Sequence, residues 1–274
     1  MINPIDRDDL RLRVRSATPF PHCAIDHFLA TEFADRVCAA FPAYEDARRV
    51  GREFRTVNEK NKIQITDPAM FPAPIAELNR LLGAKEFLGV LSYAFDIPNL
   101  LPDPESIGGG IHQTGPRGRL DIHVDFDYIL ERQLHRRLNI LIYFNKDWRS
   151  EWGGNLELWD SQVKRCHHSF APDFNRCVIF ETSDRSYHGV AAVNCPADRA
   201  RCSIAAYYYT REAPAHWNGI PRPTVFRSRP NEIFKGSVLM PAEQAGRRLH
   251  QAARTLRRGV KRIVKGGADG RELL

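Results

Sequence analysis

The sequence predicts an α+β protein in which helices support a β-sandwich or β-barrel. Between residues 105 and 212, short segments rich in β-branched and aromatic residues recur at roughly ten-residue intervals, with Gly and Asn at the turns. Before residue 100, apolar residues instead follow helical spacing. At 274 residues, the chain is long enough for one large domain with appendages.

Residues 1–104 are predicted to be a helical support region. Its predicted elements are, in order, a polar lead-in over 1–20, a short strand and turn over 19–29, a helix over 33–41 that Pro42 ends, loop and strand over 50–66, and two helices over 74–95. Each of the last two helices has one apolar stripe, so we expect both to pack on the outside of the strand-rich core.

Residues 105–212 are predicted to form that core. The segments 138–145, 177–180 and 203–210 read as strands because they are β-branched and aromatic. A loop over 114–121 is expected to lead into the next strand, which carries the candidate chemistry described below.

Residues 213–274 are predicted to be a wrap rich in Pro and Arg, followed by a basic amphipathic helix over 242–265. Residues 226–274 carry 12 Lys and Arg against 4 Asp and Glu, whereas the rest of the chain is nearly neutral. Three interpretations of the helix stay open: it docks its apolar side on the domain, touches an anionic membrane surface, or binds nucleic acid. Nucleic acid is the least favoured, since no recognisable binding module accompanies the helix.

The chain shows no sign of export. No apolar run approaches about 18 residues, so no transmembrane helix is expected, and the acidic N-terminus does not resemble a secretory signal. The six cysteines contain no Cys-x-x-Cys pair and are expected to be reduced. We therefore expect a cytoplasmic protein, with peripheral membrane contact through the basic tail as an open alternative.

The most informative motif is His123-Val124-Asp125, which we expect to act together with His188. In a β-strand, residues two apart point the same way, so His123 and Asp125 can converge while Val124 turns away. Two imidazoles and one carboxylate occupy one face of an octahedral metal ion and leave the other open, which suits non-haem Fe(II). A lone His-x-Asp motif is a weak signal, so the motifs around it decide whether a metal site is predicted.

Those motifs occur in a specific order. They are His123-Val124-Asp125, the strand 138–145, the run Trp152-Gly153-Gly154-Asn155-Leu156-Glu157-Leu158, His188, and Arg201-Cys202-Ser203. The set resembles the Fe(II)- and 2-oxoglutarate-dependent oxygenases, in particular their prolyl 4-hydroxylase-like branch. The segment 143–148, with Gly153-Gly154 after it, is similar to the hypoxia-factor prolyl hydroxylases. The resemblance covers about 105–212.

The resemblance implies a double-stranded β-helix (jelly roll) core with packed N-terminal helices and a basic C-terminal helix. It implies Fe(II) as cofactor and 2-oxoglutarate and dioxygen as co-substrates, and it allows a dependence on ascorbate. By motif position, His123, Asp125 and His188 match the catalytic metal ligands. The implied reaction converts 2-oxoglutarate to succinate and carbon dioxide while an unactivated C–H bond is hydroxylated. Family members that halogenate lack the carboxylate, so Asp125 favours hydroxylation.

The resemblance also implies a co-substrate site. Arg201 matches the basic residue that pairs with the far carboxylate of 2-oxoglutarate, and a planar guanidinium can hold a carboxylate by two parallel hydrogen bonds. Arg199 is a rival for this role. Tyr143 matches a family tyrosine that reaches the same carboxylate, and Ser203 can donate a third hydrogen bond. By strand period Asn139 faces the same interior, where we expect it to contact 2-oxoglutarate or substrate.

Substrate identity is the open question. A small metabolite, amino acid or cell-envelope sugar is slightly favoured, because the chain is compact and shows no peptide-binding domain. A prolyl residue in a peptide or protein is the alternative. A non-catalytic sensor that binds metal and 2-oxoglutarate, and a cupin-like metal protein that uses no 2-oxoglutarate, are further alternatives. The sequence leaves the oligomeric state open.

Overall fold

The computed structural model describes residues 1–103, 105–215, 217–232 and 234–241. A first compact unit spans Met1–Arg227, and a second begins at Ser228. The helices of the first unit are α1 (Arg7–Ser16), α2 (Thr31–Ala39), α3 (Tyr44–Val50), α4 (Ala73–Leu82) and α5 (Lys85–Phe95), with 3-10 turns at Pro68–Met70 and Ser150–Trp152. The described part of the second unit contains a π-helical turn, Lys235–Leu239.

The strands form one curled antiparallel sheet. They are β1 (His22–Ile25), β2 (Arg52–Arg55), β3 (Glu59–Ile65), β4 (Leu101–Pro102), β5 (Gly110–Val124), β6 (Tyr128–Ile129), β7 (Leu134–Tyr143), β8 (Leu156–Trp159), β9 (Cys166–Phe170), β10 (Cys177–Glu181), β11 (His188–Val190), β12 (Arg201–Thr210) and β13 (Val225–Arg227). The main path runs β1-β10-β7-β12-β5-β11-β8-β9, and the other strands pair beside it. This curled half-barrel with its helices confirms the predicted jelly-roll class.

Strand β5 is 15 residues long and pairs with different strands near its start and near its end. Near its start, Ile111 pairs with Ile204 of β12 and with Ile65 of β3. Near its end, His123 pairs with His188 of β11 and with Phe226 of β13. The end of β5 is therefore braced on both sides, which fixes the direction of the side chains that it presents.

Strand β7 has an apolar face that packs against the helices and an opposite face that carries polar side chains. Its apolar residues Leu138, Ile140 and Ile142 are fully buried in the main core, which they share with residues of the helices. Because side chains alternate along a strand, Asn139 and Tyr143 point to the opposite face. Burying each aliphatic side chain contributes about 1.5–3 kcal/mol, so the helix-facing residues hold the polar ones in place.

Three expectations for individual segments were wrong. The predicted polar lead-in contains α1, which the Asp6 carboxylate caps by accepting hydrogen bonds from the backbone N–H groups of Asp8 and Asp9, at 3.0 and 3.1 Å. The helix was missed because it buries only two side chains, Leu10 and Val14. The predicted loop 114–121 lies within β5, and part of the predicted wrap is β13, which pairs with β5.

The basic helix expected over 242–265 lies outside the described residues. Among the residues that the structure does describe, no helix combines the length and apolar character needed to span a membrane. All six cysteines are free thiols, as expected. The proposed division at 104 and 212 stays a prediction, while the structure places the N-terminal helices and the sheet in one compact unit.

Candidate metal and co-substrate site

The predicted ligands meet at one point. His123 lies at the end of β5, His188 opens β11 directly opposite it, and Asp125 follows β5 by one residue. One ligand atom from each residue lies within 4.8 Å of the other two, and all three residues are buried. The His123 Nε2 atom lies 3.5 Å from Asp125 Oδ1, and the His188 Nε2 atom lies 3.5 Å from Asp125 Oδ2. This is the donor set expected for non-haem Fe(II).

Backbone carbonyls orient both imidazoles. The Nδ1 of His123 lies 2.8 Å from the carbonyl oxygen of Asp121, and the Nδ1 of His188 lies 2.9 Å from that of Ser186. A carbonyl only accepts, so each Nδ1 carries the proton and donates it. Each Nε2 is then left with a free lone pair that faces the cluster, as a metal ligand requires.

The site favours an ionised Asp125 carboxylate and a neutral His188 imidazole. Burial alone would raise the pKa of Asp125, but Arg136 and the two histidines hold that pKa well below its usual range. Burial, reinforced by neighbouring His123, lowers the pKa of His188 to about 3. Near neutral pH these two groups are therefore in the protonation states that bind a metal cation.

The predicted co-substrate residues form a second cluster. Ser203 of β12 pairs directly with Tyr143 of β7, and the Arg201 guanidinium carbon lies 4.8 Å from the centre of the Tyr143 ring. Arg201 Nε donates to the Gly154 carbonyl oxygen at 2.6 Å. The rival Arg199 is exposed, so the structure brings Arg201, and not Arg199, to the interior.

Three polar atoms in this second cluster lack partners. They are the Tyr143 hydroxyl, the Ser203 hydroxyl and one terminal nitrogen of Arg201, all buried and without a hydrogen bond to the described residues. Burial raises the pKa of Tyr143, which therefore keeps its proton, and buried unpaired donors are costly. A carboxylate would satisfy two hydroxyl donors and a guanidinium together, so the cluster fits the distal end of 2-oxoglutarate.

Asn139 lies in the same interior but contacts the metal cluster. Its Nδ2 donates to Asp125 Oδ2 at 2.7 Å. Its Oδ1 accepts from Arg136 Nε at 2.9 Å and from the Thr182 hydroxyl at 3.2 Å. The structure therefore shows Asn139 hydrogen-bonded to Asp125, whereas the sequence analysis had assigned Asn139 to contact with 2-oxoglutarate or substrate.

Arg136 contacts the metal cluster, and the sequence analysis missed it. Simple alternation along β7 would place it on the opposite face from Asn139. A bulge changes this, because β7 skips Arg137 between the pairs Tyr208–Leu138 and Tyr209–Arg136. Arg136 thereby joins the interior face, and its terminal nitrogen lies 3.1 Å from Asp125 Oδ2. Nothing in the sequence marks this bulge.

A cavity opens beside Arg136. It is lined by Asp127, Arg136, Thr182, Ser183, Asp184, Pro214, Trp217, Asn218 and Arg222. The Trp217 ring forms one wall and lies 4.4 Å from the ring of His135, centre to centre. Because Arg136 contacts both this cavity and Asp125, the cavity lies one side chain away from the metal cluster.

Comparison with known proteins agrees with this geometry. Residues 109–209 match the family described as the 2OG-Fe(II) oxygenase superfamily. A mouse protein, prolyl 3-hydroxylase OGFOD1, is 33% identical over 78 residues, which cover 27% of this chain and 14% of that protein. The match therefore spans a small part of the length of this relative.

Solved structures share the fold at low identity. A Pseudomonas putida prolyl-4-hydroxylase has a TM-score of 0.54 at 15% identity, covering 73% of this chain and 98% of that one. A Trichoplax adhaerens prolyl hydroxylase in complex with a hypoxia inducible factor peptide fragment has a TM-score of 0.53 at 15% identity, covering 74% and 88%. The nogalamycin biosynthesis epimerase SnoN has a TM-score of 0.50 at 13% identity, covering 76% and 84%. Residues 109–209 are therefore a domain that matches the 2OG-Fe(II) oxygenase superfamily, and prolyl hydroxylases are among the solved structures that share the fold of this chain.

Proposed function

We propose that this protein is an Fe(II)- and 2-oxoglutarate-dependent hydroxylase. One observation carries the proposal: a two-histidine, one-carboxylate cluster shares the interior of the sheet with a buried guanidinium and two hydroxyls that lack partners. The first cluster fits the metal and the second fits the co-substrate. A protein that used only the metal would have no need to bury Arg201 in this way.

The roles follow from the two clusters. His123, Asp125 and His188 would hold Fe(II), and Arg201, Tyr143 and Ser203 would hold the distal carboxylate of 2-oxoglutarate. When bound, Fe(II), 2-oxoglutarate and dioxygen supply the oxidising power for hydroxylation of an unactivated C–H bond. The protein's own contribution is to orient these groups, to keep the Nε2 lone pairs of the two histidines free for the ion, and to exclude water from a buried site.

Two measurements test the proposal. Anaerobic protein with Fe(II) and 2-oxoglutarate should show a weak visible absorption band, and the same mixture in air should release succinate. His188→Ala should lose both signals, whereas His167→Ala, which changes an exposed histidine, should keep both. Absence of the band in the wild-type protein would refute the proposal. A band without succinate would favour the non-catalytic sensor.

A small polar molecule is the first candidate substrate. The cavity beside Arg136 places two guanidinium groups and two carboxylates next to one indole ring. Such a lining suits a compact molecule with several polar groups, such as an amino acid or a sugar, better than an apolar one. Screening metabolite pools for stimulation of succinate release, followed by identification of the oxidised product, tests this candidate.

A prolyl residue in a peptide or protein is the second candidate. It is favoured by the likeness to the mouse prolyl 3-hydroxylase and to two prolyl hydroxylase structures. Proline-containing peptides should then stimulate succinate release, whereas the same peptides with alanine in place of proline should not. Stimulation by free metabolites alone would instead support the first candidate.

The cellular location and the role of the basic tail are separate proposals. We propose a cytoplasmic protein, and contact of residues 242–265 with an anionic membrane surface is the one of the three interpretations of the basic tail that the following experiment tests. Co-sedimentation with phosphatidylserine vesicles should be stronger for the full chain than for a chain that ends at residue 241. Equal sedimentation of the two would contradict the membrane contact.

A further inference from the structure

Arg136 is a buried cation attached to a metal ligand. Its side chain is 2% exposed, and its terminal nitrogen lies 3.1 Å from Asp125 Oδ2. The guanidinium is enclosed by two rings, with Tyr207 at 3.5 Å and Phe126 at 4.8 Å from the guanidinium carbon. The rings restrict the guanidinium to one place, so its contact with Asp125 is a fixed part of the site.

A second donor reaches the same oxygen. Asn139 Nδ2 donates to Asp125 Oδ2 at 2.7 Å, while Asn139 Oδ1 accepts from Arg136 Nε at 2.9 Å. Asn139 is in turn held by the Thr182 hydroxyl at 3.2 Å. Two hydrogen bonds and the Arg136–Asp125 ion pair therefore connect Arg136, Asn139 and the Asp125 carboxylate in a closed ring.

The backbone strengthens this arrangement. The Arg136 N–H donates to the Asp127 carbonyl oxygen at 2.9 Å, which ties β7 to the chain just after the ligand. The bulge at Arg137 turns Arg136 inward at this point. Arg136 thus fixes the Asp125 region in two ways: its backbone N–H binds the chain at Asp127, and its guanidinium pairs with the Asp125 carboxylate.

We propose that Arg136 is a positioning residue that limits Asp125 to a single metal-binding oxygen. The Asn139 hydrogen bond and the Arg136 ion pair both engage Oδ2, whereas Oδ1, which lies 3.5 Å from His123 Nε2, has neither contact and is the oxygen left to bind the ion. Three protein ligands leave three positions of an octahedral ion open. If both oxygens of Asp125 bound the ion, only two would remain, fewer than a chelating co-substrate and dioxygen together require. The inference rests on the proposed function only for the identity of the metal.

Water-proton relaxation of Mn(II)-loaded full-length protein tests this role, because it reports the water molecules on the ion. Arg136→Met removes the charge but keeps an unbranched side chain. We expect its relaxation enhancement per bound Mn(II) to fall by about a third, as open positions drop from three to two. Arg136→Lys should restore most of the wild-type value, since it returns a cation to the same place.

Two more variants keep the test decisive. Asn139→Ala removes the other donor to Oδ2 and should lower the enhancement in the same direction, even if Arg136→Met does not fold. Arg199→Met removes an exposed arginine and should leave the enhancement unchanged. An unchanged enhancement in folded Arg136→Met, or in Asn139→Ala, would overturn the inference. Failure of the wild-type protein to bind Mn(II) would instead count against the proposed function.

Discussion

At the scale of single residues, the co-substrate end depends on one buried charge. Arg201 is 4% exposed, and burial lowers its pKa. Its Nε is bound to a carbonyl oxygen, yet one terminal nitrogen has no partner among the described residues. A buried cation in this state is stabilised when an anion binds, so under the proposed function Arg201 should contribute more to 2-oxoglutarate binding than any neutral neighbour.

Arg201→Met should therefore weaken 2-oxoglutarate binding strongly. Loss of a desolvated, hydrogen-bonded charge pair costs about 2–5 kcal/mol, or roughly 30-fold or more in affinity. Calorimetric titration of the Mn(II)-loaded protein measures this. Arg199→Met is the matched control, because Arg199 is an exposed arginine two residues away, and its affinity should match that of the wild type. Equal losses in the two variants would contradict the assignment.

Tyr143→Phe should have a milder effect in the same titration. It removes one neutral hydroxyl, whose hydrogen bond is worth about 1 kcal/mol, or roughly five-fold in affinity. The phenyl ring stays beside the Arg201 guanidinium, so the geometry is preserved. An effect as large as that of Arg201→Met would mean that the tyrosine does more than donate one hydrogen bond.

The sequence predicted the three residues that cluster in the structure, but not the residues that contact this cluster. His123 and Asp125 are two apart where β5 ends, and strand spacing continued by one residue directs both side chains to the same face. Arg136 escaped the same logic because a bulge reversed its face. Asn139 was placed in the correct interior, but periodicity gives only the face of a strand, and the partner on that face depends on neighbouring strands.

At the scale of elements, the Gly153-Gly154 motif shapes the segment that precedes β8. Gly153 has a φ of 61° and Gly154 a φ of 74°, both in the left-handed region. A Cβ at Gly154 would lie 3.0 Å from Arg201 Cδ, and the Gly154 carbonyl accepts the Arg201 Nε hydrogen bond. The motif therefore lets the backbone come close enough to hold the arginine.

Gly154→Ala should displace Arg201 and weaken 2-oxoglutarate binding while Mn(II) still binds. Gly219→Ala is the control, because Gly219 also has a positive φ, of 84°, but open space around its Cβ. Both variants should lose about 1 kcal/mol of stability from backbone strain. Only Gly154→Ala should also raise the dissociation constant of 2-oxoglutarate, by several-fold in a calorimetric titration. Equal affinities in the two variants would show that the close approach is not needed.

Element prediction succeeded where packing and local pattern agree. The two helices over 74–95 have apolar stripes that become buried in the main core, and the structure shows them as α4 and α5. Strand β13 was missed because Val225–Arg227 is only three residues long. Such a strand exists through its pairing with β5, and a pairing partner is not visible in local sequence.

At the scale of the whole molecule, Asn175 links the N-terminal helices to the sheet. Its Oδ1 accepts from the Leu29 N–H at 2.8 Å, and its Nδ2 donates to the Leu29 carbonyl oxygen at 2.7 Å. Its own N–H donates to the Tyr143 carbonyl oxygen at 2.8 Å. One buried residue thus joins the segment before α2 to β7, the strand that carries Tyr143.

This link predicts that the helices and the sheet unfold together. The helices α1 to α5 all precede residue 100, whereas the four tryptophans lie at 148, 152, 159 and 217. In a chain that ends at residue 241, which lacks the predicted helix over 242–265, helical circular dichroism and tryptophan fluorescence therefore report on different parts of one compact unit. We expect their denaturant midpoints to coincide. Separate midpoints would show that the N-terminal region unfolds independently.

Variants of Asn175 should shift both midpoints by the same amount. Asn175→Ala leaves two buried backbone groups of Leu29 without partners, at about 1–3 kcal/mol each, and strains a residue whose φ is 62°. Asn175→Gly loses the same hydrogen bonds but tolerates that φ, so it should be less destabilising by about 1 kcal/mol. A fluorescence midpoint that stays at the wild-type value while the dichroism midpoint falls would break the proposed coupling. If both midpoints move together, the helices support the sheet energetically, because the loss of one connecting side chain then destabilises the site and its supporting helices as a unit.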